Sequence, residues 1–371
     1  MRLRLTAALA LACMATLLPA NSGIGAPPAQ VPQGFFGIVP QTTLTEEDAR
    51  YMVSGGLESV RLPVSWGTVQ PTRKGGFTWG GVDQVMEVTS RAGLRVLPFL
   101  YGTPRWLAAK QTTLPVKNAT QRAAWDTFLE AAVARYGPGG EFWNEHESVG
   151  VNYEPAIPKP LPIRTWQIWN EANFFYFAFP VSPASYGSLV TASSKAIKAV
   201  DPGAKVVLGG LFGEPTAGGR RGMPASAFLE ALYRYPGIKA RFDGVALHPY
   251  AVDTEVLEEL VEGVHEVTLA AHDRPDLYIT ELGWGSQNNF KQVAFEQGIR
   301  GQVRELRGAY GYLTENQRRL RLKGAYWFSW KDAPGACNFC DSVGLFRAGK
   351  KFRAKPAWHT FVSFTGGRAR P

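Results

Sequence analysis

Two hydrophobic patterns alternate along the chain. Short runs rich in β-branched and aromatic residues recur as GFFGIVP (34–40), LESVRLPVS (57–65), LRVLPFLYG (94–102), IRTWQIWNE (163–171), AKVVLGGLF (204–212), FDGVALHPY (242–250), DLYITELGW (276–284) and LKGAYWFSW (322–330). Each reads as a strand. Between them lie longer segments with helical spacing: EEDARYMVSGG, VDQVMEVTSRAG, TQRAAWDTFLEAAVARYG, SPASYGSLVTASSKAIKAV, ASAFLEALYRY, EVLEELVEGVHEVTLAAH and AFEQGIRGQVRELRGAYGYL. Several close on Gly, as helix C-termini prefer. Strand and helix alternating through eight strands predict a parallel α/β fold, and the chain length fits a (β/α)8 TIM barrel. A doubly wound sheet predicts GxGxxG after an early strand, and the sequence has none.

The N-terminus departs from this pattern. MRLRLTAALALACMATLLPA joins a basic start (Arg2, Arg4) to an apolar run from Leu5 to Leu18 that is too short to span a bilayer. It reads as a secretory signal peptide over residues 1–26, with a Pro-rich linker at 27–33 and one catalytic-size domain at 34–371. Secretion to the extracellular space is therefore expected, without stable membrane insertion. Cys13 lacks the flanking residues of a lipobox, so lipid anchoring is not expected. Once the leader is gone, Cys337 and Cys340 remain, as CNFC, and an oxidising compartment allows them a small disulfide loop.

The formal charge of +9 is spread along the 371 residues, with small clusters at Arg318, Arg319, Arg321, Lys323 and at Lys350, Lys351, Arg353. No basic stripe interleaves with stacking aromatics, so nucleic acid is not an expected partner. The five His (146, 248, 265, 272, 359) show no metal-ligand spacing, and two Cys alone cannot complete a tetrahedral zinc site. Neither a metal nor another cofactor is called for.

In a (β/α)8 barrel the chemistry sits at the C-terminal ends of the strands. WNE occurs twice, and this rule separates the two copies. Glu145 lies in a Gly- and Pro-rich stretch (137–162) that reads as a loop between a helix and the next strand, away from that face. Glu171 ends the fourth strand run and opens the aromatic loop FFYFAFP. Apolar rings beside a carboxyl desolvate its charged form and raise its pKa, which suits a general acid. Glu281 ends the seventh run, across the barrel mouth. Two carboxylates facing a common space are the minimum for glycoside hydrolysis, and a separation of about 5–5.5 Å makes the second a nucleophile.

A fourth-strand Asn-Glu with a seventh-strand Glu resembles clan A of the retaining glycoside hydrolases, most nearly the family 39 and family 5 type. The resemblance covers most of residues 34–365 and includes RLPVSWGTVQPTRKGGFTW, LYGTPRWLA, LHPYA and DSVGLFRAGKKFRAKPAW. It implies Glu171 as acid/base and Glu281 as nucleophile. It implies Asn170 on the sugar 2-hydroxyl and Arg61 paired with the nucleophile. His248 and Tyr250 match the sixth-strand His and Tyr, the latter a donor to the nucleophile. Trp330, rather than Trp327, matches the aromatic platform under the sugar. Trp66, Trp106, Phe174, Tyr176 and Trp284 are expected on loops over the same face, as sugar-stacking or loop-packing residues. Family 5 members usually carry a His at the end of the third strand, where this chain has Tyr101, which favours the family 39 type or an unassigned relative.

The resemblance thus implies a secreted retaining glycosidase with a carbohydrate substrate, β-linked poly- or oligosaccharide. A transglycosylase using the same site and a non-catalytic carbohydrate-binding barrel are the alternatives. Sugar identity, endo or exo action and oligomeric state are not written in the sequence.

Overall fold

A computed structural model describes residues 31–146, 157, 159–288 and 293–371. The expected signal peptide and Cys13, most of the expected linker, and part of the loop after Glu145 lie outside them. The chain forms a closed (β/α)8 barrel. Its strands are β1 (Phe36–Val39), β2 (Ser59–Ser65), β3 (Arg95–Tyr101), β4 (Thr165–Ile168), β5 (Lys205–Leu208), β6 (Leu211–Phe212), β7 (Gly244–His248), β8 (Asp276–Leu282) and β9 (Leu322–Phe328). All pairings between them are parallel, and β1 closes the ring by pairing with both β2 and β9. β5 and β6 are two pieces of the fifth strand run, broken at Gly209-Gly210, and both pair with β7.

The helices are α1 (Glu46–Ser54), α2 (Trp66–Val69), α3 (Gly80–Arg91), α4 (Ala119–Tyr136), α5 (Glu141–Glu145), α6 (Pro183–Val200), α7 (Ala225–Tyr233), α8 (Thr254–Ala270), α9 (Gly298–Glu315) and α10 (Pro356–Thr365). Local chemistry sets their starts. Thr45 and Asp48 form a reciprocal capping box on α1, and the Asn118, Ser182 and Asp253 side chains accept from the first turns of α4, α6 and α8. Helices α2, α5 and α10 add to the expected set. The WNE at 143–145 is thus helical rather than a loop. In α5, Phe142 and Trp143 are buried, and the exposed Glu145 pairs with Arg135 at 2.9 Å. That places Glu145 before β4, at the barrel end away from the strand C-termini.

Burial follows the two-layer logic of the fold. Outward strand residues and inward helix residues form the main core, including Ile38, Val60, Leu100, Ile168, Phe228 and Leu306. Inside the barrel, Val207, Ala246 and Tyr278 form one cluster, and Val39, Leu97, Tyr250, Tyr326 and Phe328 belong to another. Between these apolar clusters stands a fully buried guanidinium, Arg61. No helix among the described residues is long and apolar enough to cross a membrane.

Candidate active site

Two local distortions turn the carboxylates inward. β4 ends at Ile168, and Trp169 and Glu171 then take φ of 69° and 40°. Both lie in the left-handed region that residues with a Cβ seldom adopt, and such strain gathers at functional sites. The turn sends the Trp169 ring out toward Trp125 on α4, while Asn170 and Glu171 face the barrel axis. In β8, the register against β9 shifts between Ile279 and Leu282. A bulge of this kind breaks the strict alternation of sides. Thr280 and Glu281, neighbours in sequence, therefore both reach the interior network.

Arg61 organises that network. Its Nη1 donates to Glu281 Oε1 at 2.5 Å, its Nη2 to Asn170 Oδ1 at 2.6 Å and its Nε to Gln167 Oε1 at 2.7 Å. The guanidinium lies 4.1 Å from the Phe99 ring centroid. Tyr250 donates to the other oxygen of Glu281 at 2.8 Å. On the opposite side, His248 Nδ1 is 2.9 Å from Glu171 Oε1 and 3.7 Å from Glu281 Oε2.

The remaining bonds fix the tautomer of His248. Because Gln167 Oε1 accepts from Arg61, its amide nitrogen donates, to the Leu208 carbonyl at 3.1 Å and to Thr280 Oγ1 at 3.2 Å. Thr280 Oγ1 keeps a hydrogen to give, and the ring nitrogen within its reach is His248 Nε2, 3.0 Å away, so the tautomer that gives this hydrogen an acceptor has Nε2 bare. Nε2 is the acceptor, so the ring proton sits on Nδ1 and is donated to Glu171 Oε1. An acid proton on Glu171 is thereby directed to the other oxygen, Oε2. Gly210 makes room for this ring, since a Cβ there would lie 1.9 Å from His248 Nε2.

The two carboxyls differ in charge preference. Burial and the negative charge of Glu281 push the Glu171 carboxyl well above its usual range, opposed only by the Coulombic pull of Arg61. Burial raises Glu281 too, but the charge of Arg61 and the hydrogen bonds from Tyr250 and Arg61 hold it down. Of the two, Glu171 keeps the proton and Glu281 the charge. Burial, reinforced by Arg61, lowers the His248 pKa and keeps that ring neutral. Burial and then the charge of Glu281 raise the Tyr250 phenol, which stays a donor.

Glu171, His248 and Glu281 also offer donor atoms within 4.8 Å of one another, a spacing open to a cation. Beside Glu281, however, the buried guanidinium of Arg61 already stands in a cation's place. What the arrangement supplies is a protonated carboxyl and an ionised one facing a shared space.

Arg61, Asn170, Glu171, His248, Tyr250 and Glu281 are thus brought together. Three tryptophans are not: the platform expected at Trp330 is corrected, and of the two roles open to Trp66 and Trp284 they take packing rather than sugar stacking. Trp330 is fully buried, donates to Asp48 at 2.8 Å and packs on Phe346 and Trp358 outside the barrel. Trp66 is fully buried among Trp106, Trp125 and Phe128. Trp284 is buried against Trp327. None keeps a face for a ligand. Each lies on the helix side of a strand end; Trp330 does so because β9 has already ended at Phe328 and the chain no longer alternates. Phe328, the inward residue two positions before Trp330, is the β9 aromatic at the mouth, in contact with Tyr250 and Phe339. The Cys337–Cys340 disulfide closes the short loop that carries Phe339.

Sequence reasoning missed Gln167, Thr280, Asn173 and Gly210. Gln167 and Thr280 had a usable signal, being polar side chains inside strands otherwise apolar. A cavity of about 630 Å³ lies elsewhere, lined by Leu62, Val64, Met86 and Trp166 between the sheet and α3. It holds none of the carboxylate cluster.

No family model and no curated protein sequence matches this chain. Solved structures do. A family 39 glycoside hydrolase from Bacteroides cellulosilyticus superposes with a TM-score of 0.62 at 18% identity, over 90% of this chain and 64% of that one. A monomeric β-xylosidase from Caulobacter crescentus gives 0.63 at 18% identity, over 91% and 69%. The GH53 catalytic domain from Ignisphaera aggregans gives 0.60 at 17% identity, over 92% and 99%. The chain thus spans just under two thirds of the first of these proteins. At such identities the likeness establishes that this chain shares their barrel fold.

Proposed function

We propose that this protein is a retaining glycosidase that cleaves O-glycosidic bonds by double displacement. The observation that carries the reading is the closeness of the two carboxylates, whose oxygens approach within 4.8 Å. Retaining enzymes hold their carboxyls about 5–5.5 Å apart, whereas inverting ones leave about 6.5–9.5 Å for a water. Glu171 protonates the leaving oxygen from Oε2. Glu281, held charged by Arg61 and aimed by Tyr250, attacks the anomeric carbon and displaces the leaving group. A water then attacks the glycosyl–enzyme ester, giving its proton to Glu171 and releasing Glu281. Asn170, anchored on Arg61, is placed to bond the sugar 2-hydroxyl. The glycoside hydrolases that share the fold support the same chemistry and a carbohydrate substrate, and the leader-like N-terminus supports secretion.

The test compares wild type, Glu171→Ala, Glu281→Ala and Glu145→Ala on aryl β-glycosides, with and without azide. Glu145→Ala stays near wild type. The other two lose turnover, and azide restores each with glycosyl azides of opposite anomeric form. An inert wild type that still binds glycans would support the non-catalytic barrel instead, and a dead Glu145→Ala would overturn the site.

A further inference from the structure

Beside Glu171, two loops are knit into a shelf. The loop after β4 meets the loop after β6 through Phe175 N to Arg221 O at 2.9 Å, Val181 N to Arg220 O at 3.0 Å and Met223 N to Asn173 O at 3.0 Å. The fully buried Asn173 staples them, donating to the carbonyls of Phe212 and Met223 and accepting from Phe212 N. A continuous path of rings runs out along this shelf. Tyr250 contacts Phe212 with centroids 5.8 Å apart, Phe212 stacks on Phe174 at 5.1 Å, and Phe174 meets Tyr176 at 4.9 Å. The path begins at the tyrosine that bonds Glu281 and ends at Tyr176, which is 63% exposed.

The outer end of the path is cationic. Arg221 lies 4.0 Å over the Phe175 ring, which itself stacks on Tyr176 at 4.3 Å. Arg220 is its exposed neighbour. Among the described residues, neither arginine pairs with a carboxylate, and the exposed Glu214 on the same loop bonds neither. The opposite barrel end is different, since Arg135, Lys198, Lys205 and Arg321 there are matched to Asp83, Asp243 and Asp276. A guanidinium stacked on a ring keeps its N–H edge outward in a planar fork that fits carboxylate or sulfate oxygens. The stacked ring supplies the flat apolar face that a sugar takes.

We propose that this shelf receives the leaving-group end of an anionic glycan, with a sugar face on Tyr176 and its carboxylate or sulfate on Arg220 and Arg221. The assignment of the leaving side rests on the two-glutamate reading, because the acid protonates the leaving oxygen and Phe174 N is bonded to the Glu171 carbonyl at 2.9 Å.

The test is affinity electrophoresis of Glu171→Gln protein, which leaves polymers uncut. Glucuronoxylan and alginate are each compared with their carboxyl-reduced forms, and carrageenan with its desulfated form. At least one anionic polymer is expected to bind about tenfold tighter than its neutral counterpart, in keeping with charge-assisted bidentate pairs. The preference collapses in Arg220→Ala/Arg221→Ala and persists in Arg318→Ala/Lys323→Ala, which removes the same charge from the opposite end. Arg220→Gln alone, a single exposed change, carries the test if the alanine pair does not fold. The carboxylate and sulfate arms distinguish the source of the anion. Equal binding of charged and neutral polymers, a preference that survives loss of both arginines, or one that falls equally in the remote pair overturns the proposal. Failure of the two-glutamate reading shows separately, as wild type inert on aryl glycosides whatever the polymers do.

Discussion

Thr280 Oγ1 lies 3.0 Å from His248 Nε2, on the ring edge opposite Glu171. Through that ring a threonine bonded to neither carboxylate bears on which oxygen of Glu171 can carry a proton. The influence of Arg61 reaches both glutamates, directly to Glu281 and through Gln167, Thr280 and His248 to Glu171.

Thr280→Val keeps the shape of the strand and removes the hydroxyl. Without it, His248 is free to place its proton on Nε2 and present a bare Nδ1 to Glu171. Turnover of glycosides with poor leaving groups should fall about tenfold or more, a fraction of the roughly 10²–10⁴-fold that general acid catalysis contributes, because the carboxyl itself remains. Substrates with good leaving groups need little protonation and should lose much less. An equal loss on both kinds of substrate would show that Thr280 supports only the fold.

The pH dependence follows from the raised carboxyl of Glu171. The unfolded chain releases this proton near the ordinary glutamate value of 4.5, and the folded protein releases it higher. Between the two values the folded state holds more protons. The stabilisation is fully present below 4.5 and is lost as pH rises through the folded pKa. Glu171→Gln, which cannot ionise, should therefore melt above wild type at about pH 8, with the gap closing toward about pH 4. Wild-type kcat/KM should decline on the alkaline side as Glu171 loses its proton. A melting gap that is flat with pH would overturn the assignment.

The barrel and the polar centre of the site were legible in the sequence for the same reason. Strand runs announce themselves by composition, and a polar residue at the end of such a run stands out against apolar neighbours. Glu171 and Glu281 are of this kind, and so is His248, whereas Arg61 stands inside β2 and is drawn in by the family resemblance. Legibility ends where side of strand matters more than position. The bulge in β8 and the left-handed turn at Trp169 and Glu171 are not readable as patterns, yet they decide which side chains point inward. Trp330 looked like a platform because it closes a strand run, but two residues past β9 its ring turns toward α10. That helix had its own signals, Pro356 at the first turn and Gly366 in a left-handed cap with φ of 71°. The glycan shelf joins two loops distant in sequence, and no local pattern couples Tyr176 to Arg221.

Trp330 and Phe328 should accordingly separate in a mutational comparison. Trp330→Phe removes the bond to Asp48, which keeps Lys331 as a partner, so a loss of about 1–3 kcal/mol in stability is expected. KM should not change. Phe328→Ala should raise KM or lower kcat/KM through the barrel mouth. Denaturant melts and initial rates on one aryl glycoside read both, and a KM effect confined to Trp330→Phe would restore the indole to the site.

Gly210 faces the tightest steric limit around Glu171 and His248. A methyl group there would lie 1.9 Å from His248 Nε2, in a buried cluster with little room to yield. Gly210→Ala must push the imidazole away from Thr280 and Glu171 or open the junction between β5 and β6. The expected loss of stability is about 2–4 kcal/mol, in the range of overpacked or network-breaking core changes. Pairing it with His248→Ala distinguishes the two routes. If the clash acts through the ring, the double variant should recover most of the stability lost by Gly210→Ala, since the imidazole is gone. If the glycine is needed for the backbone junction itself, the losses should add, and the ring would not be what Gly210 accommodates.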